Sequence, residues 1–257
     1  MSFFKSIRVF ILLTVLFVVA ANQWKTRSRM SSWEKPVWIT IYPVLTGSAD
    51  EVGTYIDNLS SASFAEIGEF ISEQAIHYGR DLNTPIMLQM AAPDSEQPPA
   101  IPAEGDLVST VIWSLKMRWW VWRKDREDNL PSADIQMFVL YHDVDQPDFT
   151  ERSVGVQNGM YGIVNAFASR SNGPLNRMVI THELLHILGA TDKYYLSTSQ
   201  PIYPIGLAQP GRVPLYPQIL AEIMGGRIAV SETAAIMPRS LDSCVIGPAT
   251  ALEIGWN

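Results

Sequence analysis

Apolar positions recur along this chain at two spacings, and the switch between them marks out the elements. PVWITIYPVL (36 to 45) alternates with β-branched and aromatic residues and predicts a first strand. SSASFAEIGEFISEQAIHYG (60 to 79) opens on serines suited to capping. Its Phe64, Ile67, Phe70, Ile71 and Ile76 then fall at helical spacing. PIMLQMA (85 to 91) and DIQMFVLYH (134 to 142) predict strands, and LVSTVIWSLKMRWWVWRK (107 to 124) a helix between them. GMYGIVNAFAS (159 to 169) is strand-like, with early glycines that suit an edge or a bulge. A further helix starts at Asn172-Gly173-Pro174, with proline in its first turn, and stops at Gly189. The remainder is rich in Pro and Gly and closes on a short helix near PATALEIGW (248 to 256). No internal repeat or low-complexity tract interrupts this order. Strands alternating with helices predict one α/β (α+β) layered domain over 36–257, with a mixed sheet.

The N-terminus departs from both spacings. Lys5 and Arg8 precede an unpatterned apolar run from Val9 to Ala21, broken only by Thr14. This is the layout of an export signal, and Val19 and Ala21 offer small residues before a cleavage point. The run is shorter than the roughly 20 residues that span a bilayer comfortably. Lys25, Arg27 and Arg29 follow it, which is unusual after a cleavage site. Residues 1–23 are therefore expected to be a signal peptide or a retained membrane anchor, and 24–35 a polar, basic linker. Either way the domain is expected on the non-cytoplasmic side, secreted, periplasmic or tethered.

Composition narrows the function. Apolar residues make up 47% and charged residues 18%, enough for a large core. A net charge of −7 disfavours a nucleic-acid partner, since phosphate binding needs a basic surface. Cys244 is the single cysteine, which excludes an internal disulfide and any Cys-rich metal cluster.

Two of the four histidines fall in THELLHILGATDKY, residues 181 to 194. On a helix, positions four apart lie about 40° apart around the axis and about 6 Å along it. His182 and His186 therefore project from one face and can grip one ion. Glu183 is rotated by about 100°, too far for a third ligand in that plane but close enough to hold a water beside the metal. Gly189 can turn the chain back, and Asp192 just beyond offers a hard oxygen ligand. Two neutral nitrogens, a carboxylate base and an open position are what a zinc hydrolase needs. Requiring Gly and Asp at fixed later positions makes coincidence rarer by roughly a few hundred-fold.

The string His-Glu-x-x-His-x-x-Gly-x-x-Asp resembles the metzincin metalloproteases, whose last position is usually histidine. The aspartate form is similar to the snapalysin-type variant. That family also carries a methionine in a tight turn beneath the metal. Met224 in AEIMGGR, followed by two glycines, is preferred for it, and Met237 in AAIMPRS is the alternative. Glu-Ile-Met-Gly-Gly resembles the turn of leishmanolysin-like members. The resemblance covers the chain from the motif helix to the C-terminus and implies a zinc-dependent endopeptidase with one catalytic Zn2+. His182, His186 and Asp192 would be the ligands and Glu183 the general base. A protein or peptide would be the substrate.

Tyr194 and Tyr195 could donate to a developing oxyanion, although packing is the simpler role. GIVNAFAS (162 to 169) is the expected edge strand for pairing with an extended substrate, and 197 to 222 the expected wall of its pocket. His77 and His142 have no ligand spacing and read as structural. The four tryptophans between 113 and 122 point several ways round a helix, as core or interface. Two other readings stay open: a non-catalytic zinc-binding interaction domain, and a zinc hydrolase of non-peptide bonds.

Overall fold

The computed structural model describes residues 30–46, 50–80, 84–100, 102, 106–145 and 153–256, with isolated positions before residue 30. The signal or anchor expected over 1–23 lies outside the described residues apart from such positions.

The fold is mixed α/β, as expected. Five strands form one sheet: β1 (Val37–Leu45), β2 (Ile86–Met90), β3 (Ile135–His142), β4 (Val154–Val156) and β5 (Tyr161–Phe167). Their spatial order is β2-β1-β3-β5-β4, with every pairing parallel except that of β4 on β5. The helices are α1 (Asp50–Asp57), α2 (Ala65–His77), α3 (Leu107–Glu127), α4 (Gly173–Leu188) and α5 (Pro248–Glu253).

Parallel strands need cover on both faces, because each crossover deposits a helix on one side or the other. Alternate side chains of the central strands accordingly enter two cores. Ile39 and Ile41 of β1 and Met137, Val139 and Tyr141 of β3 face α1, α2 and α4. Tyr42, Val44, Phe138 and Leu140 face α3, where Met117 and Trp120 meet them. Trp120 lies 4.5 Å from Phe138, centroid to centroid. Lys124, buried on the same helix, is held by Asp94 and Glu96. Trp119 and Trp122 point outward, each under an arginine, with Arg123 and Arg126 at 5.1 and 4.6 Å from the ring centres. The tryptophans thus divide between core and surface.

The elements expected from spacing are present within a few residues. Local pattern did not reveal α1 or β4. A second difference concerns the linker expected over 24–35. Met30 and Trp33 belong to the core, with Trp33 only 3% exposed. Trp33 Nε1 donates to the Ile254 carbonyl at 2.7 Å, and its ring leans on Trp256. The basic flank hid these two apolar residues, whose partners lie at the far end of the sequence.

Trp33→Ala should cost about 3–5 kcal/mol, as for a large buried aromatic. Denaturant unfolding checks this, and an unchanged midpoint would return residues 30–33 to the linker.

Candidate metal centre

Helix α4 is held at both ends. Ahead of it, the Asn176 amide clasps the end of β5, accepting from Phe167 N and donating to Phe167 O at 2.8 Å. Behind it, Gly189 adopts a left-handed conformation at φ 118. A side chain there would be strained, and its Cβ would lie 2.8 Å from Gln157 Nε2. The turn brings the Ala190 carbonyl back over the last helical turn.

That carbonyl and one other orient the histidines. His186 Nδ1 lies 2.8 Å from Ala190 O, and His182 Nδ1 lies 2.9 Å from Ile223 O. A carbonyl oxygen only accepts, so each Nδ1 carries the proton and, in a neutral ring, each Nε2 presents a lone pair. Both lone pairs meet Asp192 Oδ1, at 3.3 Å from His182 and 3.1 Å from His186. Three acceptors cannot converge in this way without a positive species among them, either an added proton or a cation. Ligand atoms about 2.0–2.1 Å from a tetrahedral zinc sit about 3.3 Å apart. All three lie within 4.8 Å of one another, so His182, His186 and Asp192 form a group that could hold a metal ion.

The charges in this group follow from the contacts. Burial would raise the Asp192 carboxyl, but hydrogen bonds to both imidazoles outweigh it and hold it well below the usual carboxylate range. Burial would lower the His186 imidazole, and the Asp192 and Ala190 acceptors reverse this and raise it. Glu183 is 6% exposed. Burial pushes its carboxyl up, against the pull of the two histidines and a hydrogen bond from the Gly155 backbone. Gly155 sits in β4, which packs directly on α4. A Cβ at Gly155 would lie 2.3 Å from Glu183 O and 2.8 Å from His186 Cβ.

Two buried residues support the site, and sequence spacing pointed to neither as such. Lys193, 1% exposed, bonds Glu253 at 2.7 Å and the Thr191 carbonyl at 2.9 Å. Glu253 also accepts from Thr191 N and Oγ1, so α5 clamps both neighbours of Asp192. Glu222 is fully buried and accepts from Gly225 N, Gly247 N and Thr250 Oγ1, at 2.7, 3.1 and 2.6 Å. It ties the turn at 223–226, whose Ile223 carbonyl orients His182, to the start of α5. The available signal was the rarity of a charged residue inside an apolar segment.

Met224 is completely buried in that turn, and its carbonyl accepts from Lys193 N at 2.8 Å. Met237 is 47% exposed and lines a cavity of about 200 Å³ beside His182. Tyr194 is half-buried on the same cavity, its ring 6.5 Å from that of His182. Tyr195 is exposed. His142 bridges Thr46 and Asn165 at 3.0 Å each, and His77 lies on the surface, so neither joins the group.

Two expectations are corrected. GIVNAFAS is not the sheet edge, because β4 pairs with residues 161–163, Ser153 Oγ accepts from Asn165 N, and Asn176 takes up Phe167. The edge is β4, too short and glycine-broken to register as a strand. The cavity wall comes from Gly225, Gly226, Arg227 and Met237, with only Ser199 drawn from 197 to 222.

No protein-family model matches the chain, and no curated protein is similar to it. Among solved structures it is similar to a chain of a chaperone–substrate complex, at 14% identity and TM-score 0.43, over 86% of this chain and 34% of that one. It is also similar to wild-type OgpA from Akkermansia muciniphila, at 11% identity and TM-score 0.41, over 85% and 60%. Catalytically inactive OgpA with an O-glycopeptide substrate gives 12% identity and TM-score 0.40, over 86% and 59%. The chain thus spans about a third of the first and three-fifths of the second. These likenesses are distant, and the chemistry of the site rests on its own geometry.

Protonated His186 beside Asp192 stabilises the metal-free fold below the ordinary histidine value of about 6.5, and that stability fades as pH rises through the raised value. Metal binding needs the deprotonated ring and runs the other way. The Tm gap between zinc-loaded and metal-free protein should therefore widen from about pH 5.5 to about pH 8. In His186→Ala the gap should be small at every pH.

Glu222→Ala strands three buried donors and should cost about 3 kcal/mol or more. Glu222→Gln, which keeps one acceptor oxygen, should recover part of it in denaturant midpoints.

Proposed function

We propose that this chain is a zinc-dependent endopeptidase of metzincin type. The observation that carries the reading is the convergence of two Nε2 lone pairs and one carboxylate oxygen beside the buried carboxylate of Glu183. The donor set suits zinc: two neutral imidazoles and one oxygen, with a fourth position left to solvent or substrate. A zinc ion held there would supply a Lewis acid that polarises a peptide carbonyl and acidifies water.

The chain's own residues do the rest. Glu183 accepts the proton of the attacking water and returns it to the leaving amine. Burial raises its carboxyl towards the working pH, which suits a group that must both take and give a proton. An interaction domain with a closed structural site has no use for such a group, and a buried carboxylate is costly. The β4 strand ends the sheet directly over α4, so an extended peptide can add along it by backbone pairing. Its scissile bond would then lie over the motif helix. The N-terminal apolar run supports an exported or membrane-tethered enzyme acting outside the cytoplasm.

Digestion of a mixed peptide library, read by mass spectrometry, tests this. The zinc-loaded chain should cleave, chelator should stop it, and Glu183→Ala should lose about 10²–10⁴-fold in rate. Zinc affinity in that variant should stay within about tenfold. Full activity in Glu183→Ala would remove the general base, and no cleavage by the folded, zinc-loaded protein would remove the peptidase.

A further inference from the structure

The cavity beside His182 is small, near the proposed reaction centre and mostly apolar. Met178 and Val179 of α4 form one side and Met237 another, with Tyr194 across from them. At about 200 Å³ it is smaller than the roughly 300–1,000 Å³ of pockets that take whole small molecules. It suits a single side chain. Gly225 and Gly226 complete the lining, and a Cβ at Gly226 would meet the Tyr194 ring at 3.7 Å.

Arg227 is the odd member of this lining. Arg80, Arg123, Arg177 and Arg212 are half-buried like Arg227, and each donates to an acceptor: Gly255 O, Glu96, Glu66 and Gln209 respectively. Among the described residues Arg227 has no such partner. The carboxylates of the site are already engaged, Asp192 by two histidines and Glu222 by three donors. A half-buried arginine in an apolar lining, with no acceptor for its planar fork among the described residues, is a site for a carboxylate.

We infer that this cavity binds a carboxylate of the substrate through Arg227, placing an acidic residue next to the cleaved bond. The inference rests on the peptidase reading and adds the substrate class to it. The carboxylate has two sources, an Asp or Glu side chain or the free C-terminus of a short peptide, and they are separable. The apolar stem of the cavity matches the methylenes of Glu, and Arg227 takes its head group. Selection comes from desolvation, because glutamine in the same place leaves the guanidinium without its charge partner.

The test uses the full, zinc-loaded chain and matched peptides with Glu, Gln, Leu or Lys beside the scissile bond. Each is made as C-terminal acid and amide. kcat/KM should favour Glu over Gln by about 10- to 100-fold in both acid and amide forms. Arg227→Ala should bring that ratio close to one, and Arg227→Glu should turn it towards Lys, with zinc content unchanged. A preference that follows the free C-terminus instead would assign the cavity to the terminal carboxylate. Binding of the same peptides to zinc-loaded Glu183→Ala, measured by calorimetry, reads the pocket without turnover. Equal affinity for Glu and Gln, or a preference that survives Arg227→Ala, overturns the inference. Absence of cleavage with the affinity difference intact would sink the peptidase reading and leave the carboxylate site standing.

Discussion

The Ile223 and Ala190 carbonyls accept hydrogen bonds and cannot donate them, and much of this structure is arranged around that restriction. Once each carbonyl takes the Nδ1 proton of a histidine, the opposite nitrogens have one direction left to face, and Asp192 stands in it. Neither carbonyl belongs to the ordered body of the motif helix. One lies just past its glycine stop and the other in a turn from a distant part of the chain. Orienting the ligands therefore demands that three separate segments be held in fixed relation. Outer contacts of this kind set ring orientation and basicity at metal sites generally.

The holding is done by buried charge. Lys193 and Glu222 are costly to bury and would be poor choices for stability alone. Here Lys193, which with Thr191 flanks Asp192, is held by the Thr191 carbonyl and Glu253, and Glu222 joins the 223–226 turn to the start of α5. Apolar packing would hold the segments together with less directional precision. The charges fix register, so that the Asp192 loop and the Met224 turn cannot slide along α5.

Local periodicity made the motif helix, its glycine stop and the central strands legible, because each carries its own apolar pattern and fills its own layer of the core. The His182, His186 and Asp192 grouping was legible for the same reason: helical spacing and one left-handed glycine decide most of its geometry. What stayed hidden depends on partners far away in the chain. β4 has three residues, one a glycine, and is a strand only because β5 and α4 are beside it. Trp33 sat in a basic stretch and revealed nothing of Ile254. Glu222 and Lys193 are buried only by segments distant in the chain, and Arg227 stands out only because the other half-buried arginines have acceptors.

Trp33 and Glu253 grip the same short helix, one at Ile254 O just past its end and the other from its last turn. The chain enters the domain by bonding to the element that braces Asp192. Tension on residue 30 would thus pass through Trp33 to the end of α5. The helix that braces Asp192 is also the place where residues 30–33 fasten onto the domain.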